Sequence, residues 1–303
     1  MNSNMIVVIG SINMDLVLRV PRMPLPGETL AGSRFMTIPG GKGANQAVAC
    51  ARLSAPGTPV AMVACVGGDA FGRQMRASIV ANGIDDRFIA DIDDEATGIA
   101  SIMVDDRAQN SIVLAAGANG RLDVAHLERA RALIESAAIV LLQLEVPIAT
   151  VVHAVELAHG LGKTMVLNPA PAQPLPPALL GKIDYLILNE IEAAMLAEED
   201  SADIPMLADR LHGLGSRNVV VTLGEKGVYG SFEKAGKRHQ EAKKVRAVDT
   251  TAAGDTFIGG FIAALAQGRD EFEAIAYGQA AAALSVTRAG AQTSIPMRDE
   301  VTP

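Results

Sequence analysis

A run of very small side chains precedes a single acid in the segment VDTTAAGDTFIGGF, residues 248–261. Small residues let a ligand approach the backbone closely, and the apolar pattern that follows predicts a helix. A helix start offers free N–H groups and a partial positive charge to an anion. The segment therefore indicates either an anion-binding helix start with Asp255 beside it, or a tight turn at Gly254 with Asp255 as the N-cap, where Asp is also favoured.

A second glycine-rich segment, IPGGKGANQA, occupies residues 38–47. It is not a phosphate-binding P-loop, because Gly43 follows Lys42 and no Ser or Thr is present for magnesium. The adjacent glycines would let the backbone touch a ligand, and Lys42 and Asn45 can donate hydrogen bonds to hydroxyl groups. The other interpretation is a plain turn that leads into a helix.

Two further acids and an amide follow apolar strands. Asn13 and Asp15 lie in GSINMD, just past the first strand, and together suit bidentate hydrogen bonding to vicinal hydroxyls. Glu145 ends the run IVLLQLE, where an unpaired buried carboxylate would be costly without a function. The alternatives are a pair of turn residues in GSINMD and a surface Glu before Pro147.

Composition limits the classes of partner. The chain has 303 residues, a net charge of -8 and no Trp, so its core is aliphatic and it lacks the basic face of a nucleic-acid-binding protein. The two cysteines, Cys50 and Cys65, lie in apolar runs typical of buried thiols. The N-terminus has no basic region of a secretory signal, and no apolar run reaches the length of a membrane helix. We expect a soluble, cytoplasmic protein that binds neither nucleic acid nor membrane.

Short β-branched runs alternate with longer amphipathic segments such as 122–137 and 204–215. Most of the runs are apolar on both faces, as in the buried strands of a parallel sheet. The alternation predicts a doubly wound α/β fold with a mainly parallel central sheet flanked by helices. The candidate strands are 5–10, 59–67, 137–145, 163–168, 184–189 and 218–224.

Two segments, about 14–38 and 97–117, break this pattern and read as hairpins with polar alternation. No helix follows at once to cover them. We therefore expect one domain over 1–303 with a small sheet that projects from it as a lid. An unprotected sheet face usually packs against something, so a ligand or a partner subunit is expected there.

The motifs, taken in order, resemble those of the ribokinase family of sugar kinases, which also includes fructokinases and adenosine kinase. The likeness runs almost from end to end of the chain, and GGKGAN and the DT-x-x-AGD block are specific to the family. The matching segments are GSINMD, GGKGANQA, GANGRL, LNPAPA, LNEIEA, TLGEKG, VDTTAAGDTF and TRAGAQTSIP.

The resemblance implies a ribokinase-like fold with a β-lid and ATP-dependent phosphoryl transfer to a primary sugar hydroxyl. GSINMD and NPAPA imply D-ribose as the sugar, phosphorylated at O5 to D-ribose 5-phosphate with release of ADP. Asp255 matches the family's catalytic base. The backbone N–H groups of Ala252, Ala253 and Gly254 match its anion hole, in which positioning and electrostatics supply most of the catalysis.

The remaining binding residues are also implied by the resemblance. The sugar would be held by Asn13, Asp15, Gly41, Lys42, Asn45, Glu145 and Asp255. The nucleotide would be held by Asn189, Thr222, Leu223, Gly224, Glu225, Lys226, Gly227, Gly254 and Gln279. Lys226 could instead be a solvated charge.

The family also implies two cations and a homodimer formed through the lids. Asn189 and Glu192 match an element that organises Mg²⁺, through waters, although an acid at this helical spacing often faces solvent. A monovalent cation, K⁺, would be held by the second set: Asp249, Thr251, Ser285, Arg288, Gly290 and Ser294.

Two positions depart from the family pattern and concern the nucleotide. Ile258 stands where Asn is common, and Gln279 stands where His or Asn often borders the adenine. Rival functions are a kinase for another pentose, deoxyribose or a nucleoside, and a non-catalytic sugar sensor. Asn13 argues against deoxyribose, because an unpaired buried amide penalises a substrate without the 2-hydroxyl. A dinucleotide-dependent dehydrogenase would need more glycines after the first strand.

Overall fold

The computed structural model describes residues 4–107 and 109–302. Within these residues nine strands form a main sheet and four form a small one. In chain order, the main sheet contains β1 (Ile6–Ile9), β4 (Val60–Gly67), β5 (Asp85–Ile92), β8 (Ile139–Leu142), β9 (Thr164–Leu167), β10 (Tyr185–Asn189), β11 (Asn218–Thr222), β12 (Val228–Phe232) and β13 (Gly236–Gln240).

The main sheet is doubly wound, as the sequence predicts. Its order is β13-β12-β11-β10-β9-β8-β1-β4-β5, parallel from β5 to β11, with β12 and β13 antiparallel at one edge. The chain runs outward from β1 in one direction and from β8 in the other. Ligands bind in open α/β sheets at such a switch point, beyond the carboxyl ends of the strands.

Three strands of the main sheet were not predicted from the sequence. β5 is an edge strand with the sequence DDRFIADI, whose charges face solvent, so it lacks the continuous apolar run of a central strand. β12 and β13 form a hairpin in a segment rich in Gly, Lys and Glu. Their pairing with the rest of the sheet depends on β11, which a local pattern does not reveal.

Helices cover both faces of the main sheet over two aliphatic cores. The predicted helix 122–137 is two short helices that meet at Ala130. No helix in the described ranges has the length and apolarity to cross a bilayer. One face carries α1 (Lys42–Leu53), α2 (Ala70–Ala81), α9 (Ala253–Ala266) and α10 (Glu271–Ser285); the other carries α3 (Val124–Arg129), α4 (Arg131–Ser136), α5 (Ile148–Gly160), α6 (Pro177–Leu180), α7 (Glu190–Ala197) and α8 (Ile204–Gly213).

The segments predicted as hairpins form the separate small sheet. Its strands are β2 (Asn13–Arg19), β3 (Arg34–Gly40), β6 (Gly98–Val104) and β7 (Asn110–Ala115), in the order β3-β2-β6-β7. β2 pairs antiparallel with β3 and β6 with β7, as expected, and a parallel β2–β6 pair joins the two hairpins. β2 begins four residues after β1 ends, so the small sheet stands next to the switch point.

Small residues bring α1 and α9 unusually close. A Cβ on Gly259 of α9 would lie 2.3 Å from the Cβ of Ala49 on α1. One helical turn earlier on each helix, Asp255 and Asn45 are in hydrogen-bond contact. Residues four apart lie on one helix face, so the glycine contact sets the helix separation that makes the polar contact possible.

Candidate active site

The switch point of the main sheet is closed by a hydrogen-bonded carboxylate. Glu145 follows β8, and its Oε2 accepts from the Ser11 hydroxyl at 2.6 Å and from the Lys42 N–H at 3.0 Å. The Ser11 Oγ in turn accepts from the Gly43 N–H at 3.2 Å. Glu145 is therefore paired and part-buried: its Oε2 joins the residues after β1 and β8 to the start of α1, and its Oε1 has no hydrogen-bond partner among the described residues.

Asn13 and Asp15 lie on one face of β2, and a neighbouring amide orients Asn13. The Nδ2 of Asn119 donates to the Asn13 Oδ1 at 2.7 Å, and the Oδ1 of Asn119 accepts from the Ile12 N–H at 2.8 Å. Asn119 comes from the short 3-10 helix Gly117–Arg121. Because the Asn13 oxygen is occupied, its Nδ2 is the group left to donate to a ligand.

Asp15 is a buried acid in an unfavourable electrostatic environment. Burial, with the nearby carboxylates of Glu145 and Asp255, raises the pKa of Asp15 from 3.8 to about 7. Its carboxyl group stands over Gly40, where a Cβ would lie 2.4 Å from it. A glycine is thus required opposite Asp15, and hydroxyl donors from a ligand would stabilise the ionised form.

The segment GGKGAN forms the start of α1 and carries two groups into the site. Burial alone would lower the pKa of Lys42, but the carboxylates of Asp255, Glu145 and Glu192 outweigh it and raise the pKa. The Asn45 Nδ2 donates to Asp255, while its Oδ1 is buried without a partner among the described residues. Asn45 therefore presents an acceptor to a hydroxyl, in addition to the donor that the sequence suggested.

Gly41 is the N-cap of α1 and needs to be a glycine. Its φ is 88°, and a Cβ there would lie 2.7 Å from the backbone nitrogen of Asn13. The backbone of the α1 entry thus packs against the start of β2.

Asp255 lies at the start of α9 and is held by two amides of α1. Its Oδ2 accepts from Asn45 at 3.0 Å and its Oδ1 from Gln46 at 2.9 Å. The side chain does not act as the N-cap: Ala252 has that place, and no side-chain cap bond is made there. Of the two interpretations of this segment, the turn with Asp255 as its cap is therefore wrong.

The helix start that precedes Asp255 has a strained turn and free N–H groups. Ala252 adopts the left-handed conformation at φ 58°, which L-residues rarely visit and which is concentrated at functional sites. Among the described residues no acceptor is found for the N–H groups of Ala252, Gly254 and Asp255, whereas that of Ala253 makes a 3.2 Å bond to the Thr250 oxygen. Three amides are available to an anion.

A cavity of about 160 Å³ lies at the start of α9, and Asn13, Asp15, Asn45 and Glu145 are not among the residues that line it. It brings Lys42, Asp255 and the α9 start together with the ends of β10 and β11. Its lining is Lys42, Asn168, Ala170, Ile187, Leu188, Asn189, Glu192, Thr222, Thr250, Ala252, Ala253, Gly254, Asp255 and Ile258. The mixture of a lysine, two acids and free amides is suited to a phosphate chain with its counter-ion.

Asn189 and Glu192 form a capping box at the start of α7. The Asn189 Oδ1 accepts from the Glu192 N–H and the Glu192 Oε2 from the Asn189 N–H, each at 2.9 Å. Glu192 is buried, not solvent-facing, and burial raises its pKa against the opposing effects of Asn189 and Lys42. Its other carboxylate oxygen is left for a ligand of the cavity.

The segment TLGEKG lies at the same sheet edge, but only Thr222 lines the cavity. Gly224, Glu225 and Lys226 form a 3-10 turn, and Lys226 pairs loosely with Glu190 at 3.5 Å. Leu223 accompanies the turn and is buried.

Gly227 links this turn to Gln279. A Cβ on Gly227 would lie 2.0 Å from the Gln240 oxygen, and Gln279 donates to that same oxygen at 3.1 Å. Gln279 and the turn therefore border one area beside the cavity. Ile258, the other departure from the family pattern, lies in the cavity wall itself.

Asp249 joins the two loops to which the cation residues were assigned. Its Oδ1 accepts from the Thr251 N–H and Oγ1 at 2.9 and 2.6 Å, and its Oδ2 from the Gly290 N–H at 2.9 Å. Burial alone would raise the pKa of Asp249, but these hydrogen bonds lower it.

The other three assigned residues lie in the same stretch of chain as Gly290, and their hydrogen bonds within the described ranges go to groups other than Asp249. The Ser285 oxygen accepts from the Arg288 N–H at 3.0 Å, and the Ser294 hydroxyl bonds to the Ala291 oxygen at 2.8 Å. The Arg288 guanidinium pairs with Glu300. Because this side chain is paired and positively charged, only the backbone carbonyl oxygen of Arg288 can contact a cation.

A model of the pfkB family of carbohydrate kinases matches residues 3–298, almost the whole chain. This chain belongs to that family. The resemblance that the motifs indicated is thereby confirmed.

Several members of the family are similar to this carbohydrate kinase over its full length. A ribokinase of Haemophilus influenzae is 46% identical over 296 residues, which are 97% of this chain and 95% of that protein. A deoxyribokinase of Salmonella typhi is 37% identical over 295 residues, 96% and 95% of the two chains. The ribokinase is thus the more similar of these two.

Solved structures agree with the fold. A ribokinase of Thermotoga maritima has a TM-score of 0.89 at 38% identity, covering 98% of this chain and 97% of that one. A ribokinase of Arabidopsis thaliana complexed with ribose and ATP also has a TM-score of 0.89, at 32% identity, covering 99% and 97%. The predicted ribokinase-like architecture with a second small sheet is confirmed.

Sequence reasoning missed several polar residues of this kinase that hold the assigned ones. Ser11, Asn119, Gln46 and Asn168 lie in the quoted motifs and Gln143 lies in the run IVLLQLE, but none of them was given a role. Each is buried. A buried polar residue inside a motif was the available signal, because such a residue needs a partner.

The raised pKa of Asp15 predicts a pH-dependent stability difference. Between about pH 4 and pH 7 the folded state keeps the Asp15 proton and the unfolded state loses it, so this residue lowers the free energy of unfolding as the pH rises. The cost is on the order of 1.4 kcal/mol for each unit by which the pKa is raised. We expect the stability advantage of Asp15→Asn over the wild type to be much larger at pH 8 than at pH 4.5.

Urea unfolding of both proteins at the two pH values measures the difference. Asp94→Asn, which removes an exposed carboxylate, is the control with which the offset of Asp15→Asn is compared. An offset of Asp15→Asn that is the same at both pH values would contradict the assignment.

Proposed function

We propose that this carbohydrate kinase transfers the γ-phosphoryl group of ATP to O5 of D-ribose and releases D-ribose 5-phosphate and ADP. One observation carries the proposal: the carboxylate of Asp255 stands beside free N–H groups of a helix start in one cavity. The sugar-binding candidates Asn13, Asp15 and Glu145 approach from the switch point. The ribokinases among the relatives and structures support ribose as the substrate.

In the proposed reaction, Asp255 accepts the proton of the O5 hydroxyl as the oxygen attacks the γ-phosphorus. The bond between the γ-phosphorus and the bridging oxygen to the β-phosphate breaks, and ADP leaves with the bonding electrons. The N–H groups of Ala252 and Gly254 stabilise charge on the transferring group, and that of Ala253 can join them if its bond to Thr250 opens. Fixed donors in a cavity need no reorganisation during the reaction.

Lys42 and Asn45 contribute on the side of the sugar and the phosphate. Lys42 offsets the charge of the surrounding carboxylates, and Asn45 presents a buried unpartnered oxygen that a sugar hydroxyl can satisfy. Gly41 lets the backbone approach the sugar. ATP lies across Asn189, Thr222 and the turn that follows, with Gln279 at its edge.

Mg²⁺ is proposed at the phosphates, held by Asn189 and Glu192 through waters. The fit rests on the one carboxylate oxygen of Glu192 that the capping box leaves open in the cavity. Groups of three or more His, Cys, Asp or Glu that could hold a metal directly do not occur in the described ranges. When bound, the ion would neutralise phosphate charge.

The substrate is tested by a coupled assay over ribose, 2-deoxyribose, hexoses and nucleosides. Ribose should have the highest kcat/KM. We expect 2-deoxyribose to be poorer by roughly 10–100-fold, because the oriented Asn13 donor would be left unpaired at a cost of about 1–3 kcal/mol. Asn13→Ala should reduce the difference in kcat/KM between ribose and 2-deoxyribose. Faster turnover of another sugar than of ribose would reject the assignment.

Asp255→Asn tests the base. The amide cannot take the proton of O5, so kcat should fall by roughly 10²–10⁴-fold, the usual contribution of a positioned acid–base group. Asp270→Asn is the matched control: Asp270 also lies at a helix start, where it is only an N-cap, and Asn caps equally well. A near-normal rate of Asp255→Asn would remove it from the role.

A K⁺ site is proposed beside the anion hole, at Asp249 with the backbone oxygens of Thr251, Ser285, Arg288 and Gly290 and the hydroxyl of Ser294. Support comes from Asp249, an acid with a lowered pKa that joins the two loops two residues before the α9 turn begins. A cation held there would fix the turn at Ala252 without touching the substrate.

We expect activity to rise when sodium is replaced by potassium at constant ionic strength. Asp249→Asn should abolish the difference, because it removes the only charge assigned to the site. Initial rates in the two salts, for both proteins, are the measurement. Equal wild-type rates in sodium and potassium would count against the site.

The kinase is proposed to form a homodimer through the small sheet, which thereby acts as a lid. Ile112 and Leu114 of β7 are about half exposed, and by register they share the sheet face of Asp15. A second copy would cover this apolar face and shield the sugar from water. Sedimentation should show a dimer for the wild type and a monomer for Leu114→Asp; a wild-type monomer would contradict the proposal.

A further inference from the structure

We propose that Gln46 is a positioning residue for the reaction: its side-chain amide holds the carboxylate of Asp255 in the orientation needed to take the proton from O5. The inference rests on the proposed role of Asp255 as the base. Gln46 lies on α1, next to Asn45, and its side chain is completely buried.

Gln46 makes three hydrogen bonds with its single amide group. Its Nε2 donates to the Asp255 Oδ1 at 2.9 Å and to the Asn168 Oδ1 at 3.1 Å. Its Oε1 accepts from the Gln143 Nε2 at 2.6 Å. The amide therefore ties the base on α9 to residues that follow β8 and β9.

The orientation of this amide is dictated by its neighbours. An ionised carboxylate can only accept, so the Gln46 nitrogen must face Asp255. Asn168 presents its oxygen to Gln46, because the Asn168 Nδ2 donates to the Ile187 oxygen at 2.9 Å. Rotating the Gln46 amide by half a turn would set its oxygen against two acceptors.

Gln143 supplies the donor for the Gln46 oxygen and completes the network. Its Nε2 bonds to Gln46, which leaves the Gln143 Oε1 buried and without a partner among the described residues. Gly10 makes room for this amide, since a Cβ there would lie 2.0 Å from that oxygen. An unpaired buried oxygen is unfavourable. Gln143 nevertheless keeps this orientation, in which its Nε2 donates to the Gln46 Oε1.

The consequence is a carboxylate held at both of its oxygens. Asn45 holds one oxygen of Asp255 and Gln46 the other, and both residues lie on α1. Every polar atom of Gln46 except the second lone pair of its oxygen is used within the protein, so Gln46 has no donor left for the sugar or the nucleotide. Its effect on the reaction must pass through Asp255, and it should appear in kcat rather than in KM.

The test compares Gln46→Met with Thr150→Val. Both changes remove a buried polar group; Thr150 bonds to the Leu122 oxygen at 2.6 Å, on the other face of the sheet. We expect Gln46→Met to lower kcat by roughly 10–100-fold, since small misplacements of a catalytic group cost up to about that much. KM for ribose and for ATP should stay within about threefold. Thr150→Val should lose comparable thermal stability and keep kcat.

A double-mutant cycle separates this role from a purely structural one. In the Asp255→Asn background, where no base remains to be positioned, Gln46→Met should cause no further loss of kcat. An equal loss in both backgrounds, a wild-type kcat for Gln46→Met, or a rise in KM alone would overturn the inference. If Gln46→Met does not fold, Gln46→Glu keeps the shape, sets a second carboxyl group against Asp255 and should show the same pattern.

The two proposals fail separately. If Asp255→Asn keeps a near-normal rate, the assignment of the base is wrong and the inference falls with it. If Asp255→Asn is slow and Gln46→Met keeps the wild-type kcat, the base stands and only the positioning role is rejected.

Discussion

The close approach of α1 and α9 is the constraint on which the rest of the site depends. Gly259 against Ala49 lets the two helices meet, and the same separation brings Asn45 and Gln46 within hydrogen-bond distance of Asp255. The entry of α1 carries groups proposed to bind the sugar, and the entry of α9 carries free N–H groups proposed to bind a phosphate. A bulkier residue at Gly259 would push the helices apart and strain the hydrogen bonds of Asn45 and Gln46 to Asp255.

The clustered carboxylates of the site favour the binding of hydrogen-bond donors and cations. The carboxylates of Asp255, Glu145 and Glu192 raise the pKa of Lys42. Burial, with Glu145 and Asp255, raises the pKa of Asp15 to about 7. Like charges in a partly buried site are unfavourable until donors and cations arrive. In the proposed function, sugar hydroxyls and the counter-ion of ATP would provide them. The chain thus gives up stability in the empty site, a common feature of functional sites.

Local sequence patterns were sufficient to predict the central strands, the two hairpins and the candidate residues in or beside glycine-rich segments. Each of these features depends on a few neighbouring residues. Asp255, GGKGAN and Glu145 could be found in this way. The charged edge strand β5 and the β12–β13 hairpin could not, since their pairing depends on strands far away in the chain. The same holds for Gln46, Asn119 and Asn168, whose partners lie in distant segments.

The account depends most directly on where the two substrates lie relative to the start of α9. A crystal structure with ribose and a non-hydrolysable ATP analogue measures this. The account predicts O5 within hydrogen-bond reach of a carboxylate oxygen of Asp255, about 2.6–3.2 Å, and γ-phosphate oxygens at similar distances from the Gly254 N–H. A γ-phosphate bound away from Gly254, or a ribose whose O5 faces away from Asp255, would contradict it.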